Sequence, residues 1–148
     1  MRPHWKNHFD FITWYIEQFN RIVNERNTTV YFLGDFAIDY RSAKYCLDRL
    51  HGEKKVLVCG NHEFNAEYKH LFDSVEGLVI KKGRRILSHA GVHPRELEVY
   101  KARYNYHGHL HKGDYGDDRY MNVCVDYAGG KQVTVELTNR GPKRHICN

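Results

Sequence analysis

Four short segments set a glycine or serine beside groups able to bind a metal or carry a proton: Gly34-Asp35, Gly60-Asn61-His62-Glu63, Ser88-His89 and Gly108-His109-Leu110-His111. The second comes after the apolar run Val56-Leu57-Val58-Cys59. A β-branched run stopped at a glycine is how a buried strand delivers polar groups to the rim of a sheet. Asn61 and His62 there could ligate an ion or shift a proton, and a polar turn after a strand explains the tetrapeptide about equally well. Recurrence of the pattern favours a site. Oxygen and imidazole donors without paired thiolates suit a catalytic divalent ion (Mn, Fe, Zn or Ni) better than a structural zinc. A carboxylate is the natural bridge between two such ions. Ions roughly 3.5–4 Å apart clamp the attacking and leaving oxygens of an in-line displacement at phosphorus. An imidazole left unligated would protonate the leaving alcohol.

The elements that must position these groups are set by periodicity. Phe9, Ile12, Ile16, Phe19 and Val23 recur at three- and four-residue steps, which predicts an amphipathic helix from about His8 to Glu25. Thr29 to Leu33 reads as a buried strand ending at Gly34-Asp35, Arg41 to His51 as a second helix, and Val56 to Cys59 as the next strand. Strand, helix, strand with short connections is a βαβ unit, so the two strands are expected parallel, with Asp35 and Asn61-His62 on one rim. Beyond a short helix (Phe64 to Leu71), Val75–Ile80 and Arg84–Ser88 read as a hairpin turned at Lys81-Lys82-Gly83 and delivering His89. The basic run there reads as a solvated turn. Pro94 to Arg103 fits a helix opened by proline. His107, His109 and His111 come next, and in an extended backbone His109 and His111 would share a face. Tyr120–Val125 and Gln132–Leu137 read as strands bridged at Gly129-Gly130, and the basic tail Arg140–His145 reads as loose.

Composition narrows the class. A chain of 148 residues, 41% hydrophobic and 14% aromatic, is expected to form one folded domain over 1–148 with a core of its own. No apolar run approaches the roughly 20 residues of a spanning helix and no signal peptide is visible, so no membrane association and a cytoplasmic location are expected. The four cysteines (Cys46, Cys59, Cys124, Cys147) lack C-x-x-C spacing, which fits a reducing compartment. Lys+Arg of 23 against Asp+Glu of 18 gives +5, suited to an anionic substrate and equally to a solvated surface.

In order and approximate spacing, the four segments resemble the motifs of the calcineurin-like metallophosphoesterases, small single-domain bacterial and phage members above all. Tyr31-Phe32-Leu33-Gly34-Asp35-Phe36-Ala37 and Asn122-Val123-Cys124-Val125-Asp126 resemble that subgroup too. The resemblance implies an α/β fold, an αββα sandwich, and a hydrolase acting on a phosphomonoester or phosphodiester, with a nucleotide or nucleic acid among the candidate substrates. It implies Asp35 as bridging ligand, Asn61, His89 and His109 completing one metal site, His111 serving the other, and His62 as general acid, its ring oriented by a neighbouring carboxylate.

One motif departs from the pattern. The family opens with a strand ending in Asp-x-His, and here Met1-Arg2-Pro3-His4-Trp5 resembles the approach to the first helix, on the C-terminal side of that motif. The fold is therefore expected to lack its first strand, leaving one or two ions per chain and an apolar edge beside Thr29–Leu33. His4, His8 and Asp10 fit the start of a helix, in structural or exposed roles. The competing expectation is a truncated, non-catalytic remnant that keeps one metal and binds a nucleic acid or protein. His93 and His107 are expected as loop, surface or supporting groups, and neither Asp39 nor Arg41 is given a phosphate role.

Overall fold

The computed structural model describes residues 7–125, 133–138 and 141–146. Helix α1 (His8–Ile22) begins where the Asn7 side chain accepts the Asp10 amide, and it buries Ile16 and Phe19. The polar stretch Asn24–Asn27 ends it three residues before the sequence pattern alone predicts, with Asn27 in the left-handed region at φ 57°. Strand β1 (Thr29–Phe32), helix α2 (Tyr40–Leu47) and strand β2 (Lys54–Val58) form the expected βαβ unit. β1 and β2 run parallel, with Phe32 opposite Leu57. Asp39 caps α2 by accepting the Ser42 amide at 2.7 Å, which holds its carboxyl below the ordinary range.

Val75–Ile80 is not one strand. It divides at Gly77-Leu78 into β3 (Ser74–Glu76), which extends the first sheet parallel to β2, and β4 (Val79–Lys81), which joins a second sheet. A glycine inside a strand pattern marks such a break. In the second sheet β4 turns into β5 (Arg85–Ser88) as an antiparallel hairpin. β5 then pairs in parallel with β6 (Tyr104–His107), and β6 with β7 (Tyr120–Asn122). Between β5 and β6 the chain forms the short helix α3 (Pro94–Val99), capped by the His93 ring, which accepts the Arg95 amide.

The C-terminal expectations change most. Val133–Thr138 (β8) pairs antiparallel with Gly141–Ile146 (β9), so the basic tail is a strand and not a loose end. Strand pairing is made by the backbone, and the charge of the segment is a poor guide to it. The expected turn at Gly129-Gly130 lies outside the described residues, as do His4, Asp126 and Cys147. Among the described residues no helix is long and apolar enough to cross a membrane.

One continuous cluster joins α1, α2, β1 and β2 through Ile16, Phe19, Val23, Phe32, Ala43, Leu47, Leu57, Tyr68 and Phe72. Aromatic rings dominate it: Phe32 meets Phe36 at 4.9 Å and Phe72 at 5.7 Å, and Phe36 meets Phe72 at 5.3 Å. Alternate residues of β2 are buried on the opposite face, Val56 and Val58, as a central parallel strand requires. That face is tied to the second sheet by the Lys81 ammonium, which donates to the Tyr31 hydroxyl at 2.7 Å. The chain is α/β, with two sheets whose parallel strands end on a common rim.

Candidate metal centre

Each candidate ligand leaves the end of a parallel strand. Asp35 lies past β1, Asn61 past β2, His89 directly after β5 and His109 after β6. Ring packing of Phe36 fastens the first of these loops to the core. Gly34 and Asp35 are both left-handed, at φ 81° and 52°, a turn that aspartate tolerates better than most residues. His109 is left-handed as well, at φ 61°. The backbone around it is therefore not extended, and the shared face expected for His109 and His111 does not form.

The four side chains meet at His89. Its Nδ1 lies 2.8 Å from the Leu33 carbonyl, which only accepts, so the imidazole proton belongs on Nδ1. Nε2 then turns a lone pair toward Asn61 Oδ1 at 2.9 Å, His109 Nδ1 at 3.0 Å and Asp35 Oδ2 at 3.4 Å. A proton shared between the two imidazoles satisfies that pair alone and leaves two oxygens at the same point without a donor. A divalent cation satisfies all of them. Candidate ligand atoms of Asp35, His89 and His109 lie within 4.8 Å of one another. A metal-bound histidine ordinarily passes its other N–H to a carbonyl or carboxylate, which is what His89 does with Leu33. The residues present fit a metal ion held by nitrogen and oxygen donors.

Neighbouring backbone leaves little slack. A Cβ at Gly34 would overlap His89 Nδ1, and one at Gly60 would stand 2.5 Å from Asp35 Oδ1 and 2.8 Å from the His89 ring. Only glycine lets the two loops approach. The loop after β5 is shaped by buried Asn105, which accepts the Val92 amide at 2.9 Å and donates to Ser88 Oγ at 2.9 Å. The loop after β6 is held by Asn122, whose amide donates to the Leu110 carbonyl at 2.8 Å.

Two predicted site residues stand apart. His111 is exposed and lies outside the group formed by Asp35, His89 and His109. His62 is exposed in the 3-10 turn Asn61–Glu63, and its backbone N–H donates to Asp35 Oδ1 at 3.2 Å. No carboxylate orients its ring among the described residues, because the turn sends the adjacent carboxylate, Glu63, inward. His107 is not a surface group. It is fully buried, its Nδ1 donates to the Gly108 carbonyl, and its Nε2 has no partner among the described residues. Burial holds the His107 imidazole below its ordinary pKa, against the opposing pull of that carbonyl. His8 is exposed at the start of α1.

Sequence reasoning missed Glu63, Asn105 and Asn122, all buried. Glu63 carried a visible signal, a carboxylate at the third position of a turn opened by glycine. Asn122 opens a segment that carries the family resemblance but no assigned role, and Asn105 lies in a strand-like run that carried no signal.

The fold has a solved counterpart. The chain is similar to a protein of unknown function, AQ665 from Aquifex aeolicus, with a TM-score of 0.54 and 21% identity over 81% of this chain and 77% of that one. No family model and no curated protein matches the sequence.

Proposed function

We propose that this chain is a metal-dependent phosphoesterase of the calcineurin-like kind, built on an αββα sandwich and acting on a phosphomonoester or phosphodiester, nucleotides and nucleic acids included. The observation that carries the reading is the convergence of Asp35, Asn61 and His109 on the lone pair of His89. Asp35, Asn61, His89 and His109 would hold the ion, and His111 is the candidate for a second. When bound, the ion supplies charge that polarises the phosphoryl oxygens and lowers the pKa of a water. Leu33 keeps the His89 proton away from the ion. His62, exposed on the same rim with its backbone fixed to Asp35, is the group free to give a proton to the leaving oxygen.

The test is hydrolysis of chromogenic phosphomonoesters and diesters with Mn, Fe, Zn or Ni added. Asp35→Ala and Asn61→Ala are each expected to lower kcat/KM by about 100-fold or more, the upper end for groups that orient a metal. Unchanged turnover in either variant overturns the reading. The position of His111 outside the cluster favours a second reading, a one-ion, non-catalytic module for a nucleic acid or protein partner. That reading expects one tightly bound equivalent and no hydrolysis with any of the ions.

A further inference from the structure

Glu63 is a carboxylate with no exposed surface, one residue from a candidate catalytic histidine and two from a candidate ligand. Both its oxygens are occupied. Oε2 accepts the backbone N–H of Asp35 at 2.9 Å and of Gly60 at 2.6 Å. Oε1 accepts the backbone N–H of Phe36 at 2.7 Å and lies 2.9 Å from the Tyr68 hydroxyl. Tyr68 Oη also lies 2.9 Å from the Ala37 carbonyl, so its single proton is shared between that carbonyl and Glu63. Burial by itself would push the Glu63 carboxyl up, and the donated N–H and O–H bonds outweigh it, leaving the group below the ordinary range.

We propose that Glu63 is the positioning residue of the metal centre: a buried carboxylate that fastens the loop after β1 to the loop after β2, so fixing where Asp35 stands relative to Asn61 and His62. The two loops come from neighbouring parallel strands, and this single side chain joins them by three backbone amides. The bond to the Gly60 N–H also closes the head of the 3-10 turn Asn61–Glu63 that carries Asn61 and His62. Neutral glutamine has the same length and cannot substitute. One of its two terminal atoms is an NH2, which would face amide donors where the carboxylate offers lone pairs.

The proposal rests on the metal-site reading for its consequence but not for its geometry, and the experiment separates the two. Wild type, Glu63→Gln, Glu63→Asp and Tyr68→Phe are compared by backbone amide exchange and by Mn(II) titration followed by electron paramagnetic resonance. Glu63→Gln is expected to speed exchange at Asp35, Phe36 and Gly60 by about 10-fold or more while Leu57, at the centre of the sheet, stays protected. Mn(II) affinity is expected to fall roughly 10–100-fold with an altered resonance lineshape. Tyr68→Phe, which keeps all three amide bonds, is expected to lose no more than about 3-fold, and a loss equal to that of Glu63→Gln overturns the assignment to the carboxylate. Wild-type exchange, or wild-type Mn(II) affinity and lineshape, in Glu63→Gln overturns the proposal. Should that variant fail to fold, Glu63→Asp decides by the same two measurements, since it keeps the charge and loses the reach. A wild-type chain that binds none of Mn, Fe, Zn and Ni yet protects these three amides sinks the phosphoesterase reading and leaves the clamp standing.

Discussion

Replacing Gly60 by alanine tests the packing of the centre directly. The new methyl would stand 2.5 Å from Asp35 Oδ1, 2.8 Å from His89 Cε1 and 2.9 Å from the Asp35 amide, where ordinary contact begins at 3.4 Å. Backbone strain does not enter, because Gly60 has φ −96° and ψ −175°, open to any residue. The Asp35 carboxylate must therefore retreat by about 0.9 Å or the loops must part, and metal–ligand distances tolerate about 0.2 Å. Mn(II) affinity is expected to fall at least about 10-fold. Overpacking of this kind costs about 1–3 kcal/mol. At about 2–4 °C per kcal/mol for a chain near this size, the thermal midpoint in chelator should drop by roughly 2–12 °C. The control is Gly77→Ala, where an added methyl meets nothing within 4 Å. It should leave the midpoint within about 2 °C of wild type, as surface substitutions do. A Gly60→Ala protein that binds Mn(II) and melts like wild type would show that the loops are not packed against one another as described.

Other expectations are independent of that one. His62→Ala should retain its metal, measured by bound Mn(II), and lose turnover by about 100-fold or more on poor leaving groups while losing least on nitrophenyl esters; a parallel loss of metal would remove His62 from the acid role. His109→Ala should weaken the first ion by about 10-fold or more, whereas His111→Ala should leave that affinity within about 2-fold, both read by titration. Asp39→Asn keeps a capping side chain and removes a charge. The Asp39 carboxyl is held below its ordinary value of 3.8 in the folded chain, so its stabilisation is present above that value and disappears as pH falls through the lower one. Wild type should melt above Asp39→Asn at pH 7, and the gap should close below pH 3.8.

The parts legible in advance were those written in local pattern. Alternating three- and four-residue spacing placed α1, and glycine-stopped runs placed β1 and β2 with their parallel pairing. The proximity of Asp35, Asn61, His89 and His109 was legible because each comes after a strand end, and a parallel sheet collects its strand ends on one side. What local pattern does not encode is which sheet a strand joins or which way a loop residue turns. Val75–Ile80 reads as one strand, yet its two parts pair with β2 and β5 respectively. The spacing of His109 and His111 promises a common face that the left-handed φ of His109 removes. The neighbouring carboxylate expected to orient the His62 ring is not the adjacent Glu63, because a 3-10 turn sends adjacent residues in different directions.

The left-handed backbone at Asp35 and His109 has a consequence for anyone engineering this protein. Glycine at either position would release local conformational tension of about 1 kcal/mol while deleting a candidate metal donor. If the group holds an ion as proposed, selection for heat resistance alone would erode it, and the most thermotolerant descendants would be the least able to bind metal. Stabilising changes are better sought where an added methyl meets open space, as at Gly77, than among the tight turns that crowd the candidate ligands.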